Sequence, residues 1–151
     1  MKKFSVSLAM LALALVVGLA LVGCKNEADD SPLNGTWVRG NFELTLDNGN
    51  FTMGGDVTYR GRYTDNGNDL VLTITDMYFD AAMAAEWGTS VGWKNKNELT
   101  ELAKQMGMTD AEIDAEFNRV FSPQTCPYTL DGDTLTITGF MGTSSMTFTR
   151  Q

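Results

Sequence analysis

Apolar and polar residues alternate with a period of two along several short stretches of this chain, and Gly-containing turns separate many of them. Phe42, Leu44 and Leu46 alternate with Glu43 and Thr45. Val57, Tyr59 and Tyr63 are interleaved with Thr58, Arg60 and Arg62, and Leu70, Leu72 and Ile74 with Thr73 and Thr75. Near the other end Leu135 and Ile137 alternate with threonines, as do Met146 and Phe148. A two-residue period puts one set of side chains on each face of a strand, which is the pattern of a half-buried antiparallel sheet. Asp47-Asn48-Gly49, Asn66-Gly67 and Asp131-Gly132 supply the residues that tight hairpins need. Strands are therefore expected near 36–39, 42–46, 50–53, 57–64, 70–76, 127–130, 134–138 and 145–150. A meander of about eight strands must hide its edges, and closure into an antiparallel barrel does so.

The stretch 77–126 interrupts this pattern and reads as a helical insertion between the fifth and sixth of these strands. Residues 78–87 are Ala-rich, and Leu99, Leu102, Ala103 and Met106 recur at helical spacing. Thr109 and Glu112 form a capping-box signature ahead of an apolar stripe of Ile113, Phe117, Val120 and Phe121, and Pro123 ends the run. That stripe is expected to pack on the barrel.

The amino terminus carries a different signal. Lys2 and Lys3 precede an almost wholly apolar run from Val6 to Val22, the composition of an export signal. Leu21-Val22-Gly23-Cys24 resembles the lipobox of bacterial lipoproteins. The resemblance implies cleavage after residue 23 and acylation of Cys24, giving a membrane tether of two or more chains. An uncleaved membrane-spanning anchor is the competing reading, because the run is just long enough to cross a bilayer. The position of Cys24, where hydrophobicity stops, favours cleavage. Residues 24–32 are polar, aperiodic and end in Pro32, as expected of a flexible tether. Lys25 follows the acylation site, where an Asp often marks retention at the inner membrane. Its absence points to the outer membrane or cell surface.

Three elements of the barrel pattern resemble the small lipocalin-like (calycin-type) domains of bacterial lipoproteins: Gly35-Thr36-Trp37 on the first strand, the DNG-type hairpins, and the closing Met146-Thr147-Phe148-Thr149-Arg150 strand. The resemblance covers residues 33–76 and 127–151 of the 33–151 domain. It implies that Trp37 lies across the barrel floor with Arg150 packed on its ring, within about 6 Å. It also implies a barrel that takes a small hydrophobic or lipid-like ligand. Phe42, Leu44, Tyr59, Tyr63, Leu72, Leu135, Ile137 and Phe148 face inward by parity and are the candidate lining.

Composition narrows the chemistry. The chain contains no histidine, which removes His-dependent triads and His metal sites. Nineteen acidic and eleven basic residues give a net charge of −8. With Lys2 and Lys3 lost in the signal, the remainder carries −10, which argues against nucleic-acid binding. Asp65-Asn66-Gly67-Asn68-Asp69 does not fit a calcium loop and reads as turn chemistry. Lys25, Lys94, Lys96 and Lys104, the lysines left after the signal, all fall in polar sequence surroundings, so no activated amine is expected. Cys126 reads as a buried thiol. No catalytic residue, cofactor or metal is expected, and nothing specifies an oligomeric state. A ligand-binding module is the leading functional reading. A non-enzymatic surface protein, using the barrel exterior or the insertion to hold a protein or glycan, is the alternative.

Overall fold

A computed structural model describes residues 31–151. The 1–23 signal, Cys24 and most of the 24–32 tether lie outside the described residues. The chain folds as β1 (Gly35–Arg39), β2 (Phe42–Asp47), β3 (Asn50–Gly54), β4 (Thr58–Asp65), β5 (Asp69–Phe79), α1 (Ala81–Glu86), β6 (Gly92–Asn95), α2 (Lys96–Gln105), α3 (Asp110–Phe121), β7 (Gln124–Asp131), β8 (Thr134–Ile137), a 3₁₀ turn (Phe140–Gly142) and β9 (Met146–Arg150).

Every strand pairing is antiparallel, and β4 pairs with β5 to close the sheet. The result is an eight-stranded barrel ordered β1-β2-β3-β4-β5-β7-β8-β9, with β9 returning to β1 through Trp37↔Arg150. All eight expected strands are present. The two-residue loop Asn48-Gly49 joins β2 to β3, with φ of 48° and 78°; a turn with both central residues at positive φ matches the twist of the strands it connects. Thr136 and Thr147 share a hydrogen bond across the outer face at 3.1 Å, the role of the threonine-rich parity.

The barrel interior is solid. Trp37, Leu44, Leu70, Leu72, Leu135, Ile137 and Phe148 have 0% of their surface accessible, and Phe51 and Ile74 only 2%. A water-sized void beside any of these would expose area, so they pack against one another.

The insertion differs from expectation at both ends. It spans 80–123 rather than 77–126, because Met77–Phe79 continue β5 and Gln124–Cys126 already belong to β7. It also contains a ninth strand. β6 pairs with the outer part of β5 through Asp76↔Asn95 to Phe79↔Gly92, while β7 takes the inner part of the same edge through Asp69↔Pro127 to Leu72↔Gln124. β5 can serve both because a bulge opposite Arg60/Gly61 inserts Thr75 and bends the strand. Asn95 and Thr109 cap α2 and α3, each through a reciprocal capping box with Glu98 and Glu112. No helix among the described residues is long and apolar enough to cross a membrane.

The up-and-down topology gives the barrel two unlike ends. Residues 31–34, the turns at 47–50, 65–69 and 131–134, and the carboxyl terminus share one end, here the floor. The turns at 39–42, 54–58 and 138–146 and the whole insertion share the other, the mouth.

Candidate functional site

At the floor, the Arg150 guanidinium stacks on Trp37, with Cζ 4.1 Å from the ring centroid. This lies inside the expected separation. Arg150 Nη1 donates to Asn34 O at 2.8 Å, and Nη2 donates to Pro32 O. Trp37 Nε1 donates to Leu33 O at 2.8 Å. The guanidinium and the indole thus take up three consecutive carbonyls and pull residues 32–34 across the barrel end. Gly35 adopts φ of +139°, and a Cβ there would meet Arg150 Nη1 at 2.8 Å. The Gly-x-Trp spacing therefore has a local cause: the strand must pass close under a guanidinium before presenting its ring.

Tyr63, expected to line a cavity, belongs to the floor as well. Its hydroxyl donates to Asn34 Oδ1 at 2.7 Å, and burial pushes the phenol above its ordinary pKa. Leu44, Leu72, Leu135, Ile137 and Phe148, also expected to line a cavity, have no accessible surface and form the packed core. The correction has one cause. Parity sets which face of a strand a residue occupies, and these residues sit at depths where the interior is full.

Phe42 and Tyr59, the two remaining candidates, reach an opening. They lie at the mouth, where the barrel top holds a cleft of about 290 Å³. Met53, Met141 and Met146 complete its apolar wall with Val57 and Phe140, while Arg39 and Asp56 supply the charged part of its lining. Burial raises the Tyr59 phenol pKa, and Arg119 opposes that shift. Met141, in the 3₁₀ turn, holds φ of 50°, a left-handed conformation costly for a side chain of its size. Its N–H donates to Gln124 Oε1 at 2.7 Å. Gln124 Nε2 donates in turn to the carbonyls of Arg119 and Val120 at the end of α3, at 3.3 and 3.5 Å. One side chain thus links the strained mouth loop to the insertion. No sequence pattern marked Gln124 or Met141, because their partners are distant in the chain.

The other chemistry-bearing groups are engaged structurally. Asp65 Oδ1 accepts from Gly67 N at 2.7 Å and from the Tyr128 hydroxyl at 2.9 Å, and Asn66 Oδ1 accepts from the N–H groups of Asn68 and Asp69. Cys126 is a free thiol with 0% exposure, and burial raises its pKa. Among the described residues no three Cys, Asp or Glu side chains converge as a metal would require. Lys94 departs from expectation. It is only 8% exposed, it shares the inward face of β6, and its Nζ donates to Ser90 Oγ at 3.0 Å.

Compared with known proteins, the chain matches no family model, no curated protein and no solved structure.

Proposed function

We propose that this chain is a non-enzymatic binding protein of the cell envelope, anchored through acylated Cys24, whose lipocalin-like barrel receives a small hydrophobic or lipid-like ligand at its mouth. The mouth cleft carries the reading: apolar walls of Met and aromatic side chains, a few polar groups, and about 290 Å³ of space above a solid core. Its size is near the low end for ligand pockets, which favours a small guest. Residues 31–34 lie at the floor, so the anchored chain joins the barrel at the end opposite the cleft, at the outer membrane or cell surface by the Lys25 rule. Methionine supports such a site because its unbranched thioether adapts to the shape of a guest.

Two measurements test this. Globomycin should cause an unprocessed form to accumulate and Cys24→Ser should abolish lipid labelling; indifference to both refutes the anchor. Independently, the mature chain carrying Cys24→Ser, labelled at methionine methyl groups and titrated with an envelope lipid extract, should show saturable shifts at Met53, Met141 and Met146. Phe42→Arg should suppress them. Unmoved signals in the unsubstituted cleft refute ligand binding at the mouth.

One observation favours the second reading, a surface that binds a protein or glycan. On the outer face of β4–β5–β6, Arg60 stacks on Trp93 at 4.4 Å and Tyr78 meets the same ring edge-on at 5.3 Å. Val91, two residues before Trp93 in the chain, is 53% exposed. Trp, Tyr and Arg together have the composition of an interface hot spot. Trp93→Ala would leave the mouth cleft intact while removing neighbours recovered by proximity labelling on cells.

A further inference from the structure

The insertion encloses a second pocket, of about 270 Å³, against the outer end of β5. Met77 and Phe79 form its sheet wall, Met83 and Trp87 come from α1, and Phe117 and Val120 from α3. Met108, in the turn between α2 and α3, closes the far side. The apolar stripe of α3 packs on β5 as the sequence suggested, but incompletely. Phe79 of β5 meets Trp87, at the end of α1, edge-on at 5.5 Å, and Phe117 meets Phe121 edge-on at 5.7 Å along α3, so rings make up much of the lining.

The placement of methionine marks this pocket independently of its shape. Met53, Met141 and Met146 line the mouth, and Met77, Met83 and Met108 line the insertion pocket. Met106, the remaining methionine among the described residues, lies exposed on the surface. Six of the seven methionines among the described residues thus line these two clefts, each cleft drawing its three from three separate elements, whereas a polar-rimmed cleft of about 270 Å³ by Ile74, Asn95 and Phe121 has none. Aliphatic side chains such as Leu would fill a wall; thioethers leave it adjustable.

Charge selects the guest. Glu116 is the single ionisable group on the lining, and no Lys or Arg lines the pocket; the Glu116 carboxylate, 58% exposed, pairs with Arg119 Nη2 at 3.0 Å outside the lining. An anionic head entering the pocket would give up its hydration with no cation on the lining to pair it, in a mature chain of net charge −10. The volume scales, from a cavity of roughly 150 Å³ that holds benzene, to about eleven non-hydrogen atoms.

We infer that the helical insertion holds a second binding site, distinct from the mouth, for an uncharged hydrophobic molecule of about that size, and that it discriminates against fatty-acid anions. The test uses the mature Cys24→Ser chain with labelled methionine methyl groups assigned by Met→Leu variants. 1-Decanol should shift the Met77, Met83 and Met108 signals saturably, and decanoate should bind there at least about tenfold more weakly. Val120→Trp should fill the pocket and silence the response of those three signals while Met53, Met141 and Met146 keep their folded positions. Glu116→Lys, at an exposed site, should raise decanoate affinity about tenfold, and needs no change in the core. Signals of Met77, Met83 and Met108 that stay fixed up to the solubility limit of 1-decanol would overturn the site. Equal affinity for the two probes, unchanged in Glu116→Lys, would overturn the ligand class. Because the mouth reports through a different methyl set, failure here and failure of the mouth site are read separately.

Discussion

Arg150→Ala should be among the most destabilising changes available at a partly exposed residue of this protein. The side chain makes three kinds of contact. Its stack on Trp37 at 4.1 Å is worth about 0.5–2 kcal/mol, toward the upper end because the indole has 0% exposure. Its hydrogen bonds to the carbonyls of Asn34 and Pro32 are charge-assisted, at about 1.5–3 kcal/mol each, with water recovering part of that at exposed Pro32. The ion pair with Asp133 at 3.5 Å adds little, since Asp133 is 78% exposed. Such terms overlap, and an overall loss of about 3–5 kcal/mol follows. For a domain of this length that is a fall of about 10–20 °C in Tm. Urea and thermal unfolding of the mature Cys24→Ser chain would measure it. Arg150→Lys keeps the charge but not the planar fork, and should lose about half as much. A loss below about 1 kcal/mol for the alanine variant, or a lysine variant as stable as the parent, would refute the floor clamp as a stabilising unit.

Two further changes probe the barrel wall. A Cβ on Gly61 would lie 2.0 Å from Thr73 O and 2.9 Å from Ile74 Cα, so Gly61→Ala should cost at least about 3 kcal/mol by forcing β4 and β5 apart. Gly54→Ala, whose Cβ would meet nothing nearer than 4.0 Å, should stay within about 0.5 kcal/mol in the same denaturation assay. The Tyr128 phenol is pushed up to about 12, first by burial and then by its hydrogen bond to Asp65. Its folded pKa therefore exceeds the unfolded value near 10. The stability it contributes is present below pH 10 and is lost between pH 10 and 12 as the unfolded chain ionises first. Tyr128→Phe should flatten that alkaline decline, and absorbance at the tyrosinate band would contradict the assignment if Tyr128 titrated at its ordinary value in the folded protein.

The strands were legible because alternation and turn residues are local. Leu70, Leu72 and Ile74 declare a half-buried strand, and Thr109 with Glu112 declares a helix start. β6 left no such trace. Gly92-Trp93-Lys94-Asn95 has four residues, and its inward position carries a lysine, the reverse of the usual pattern. The end of β5 was hidden for another reason. Met77, Tyr78 and Phe79 form a continuous apolar run because helices cover one face and Trp93 covers the other. The mouth cleft was only half readable. Periodicity assigned Phe42 and Tyr59 to the same face as Leu44 and Leu72, yet depth along the barrel axis separates an open cleft from a solid core. That depth follows from long-range closure, which no single stretch of sequence encodes.

Among the described residues, closure leaves β6 as the one strand with an unpaired flank, and its design would matter most if the proposed anchor crowds copies of the chain in two dimensions. An open flank invites neighbouring copies to add on like planks and grow into fibres, the more so at high local concentration. Here the flank is four residues long, α2 starts immediately after it, and its inward ammonium would be trapped beneath any added copy. Removing that ammonium, as in Lys94→Leu, would open a route to polymerisation.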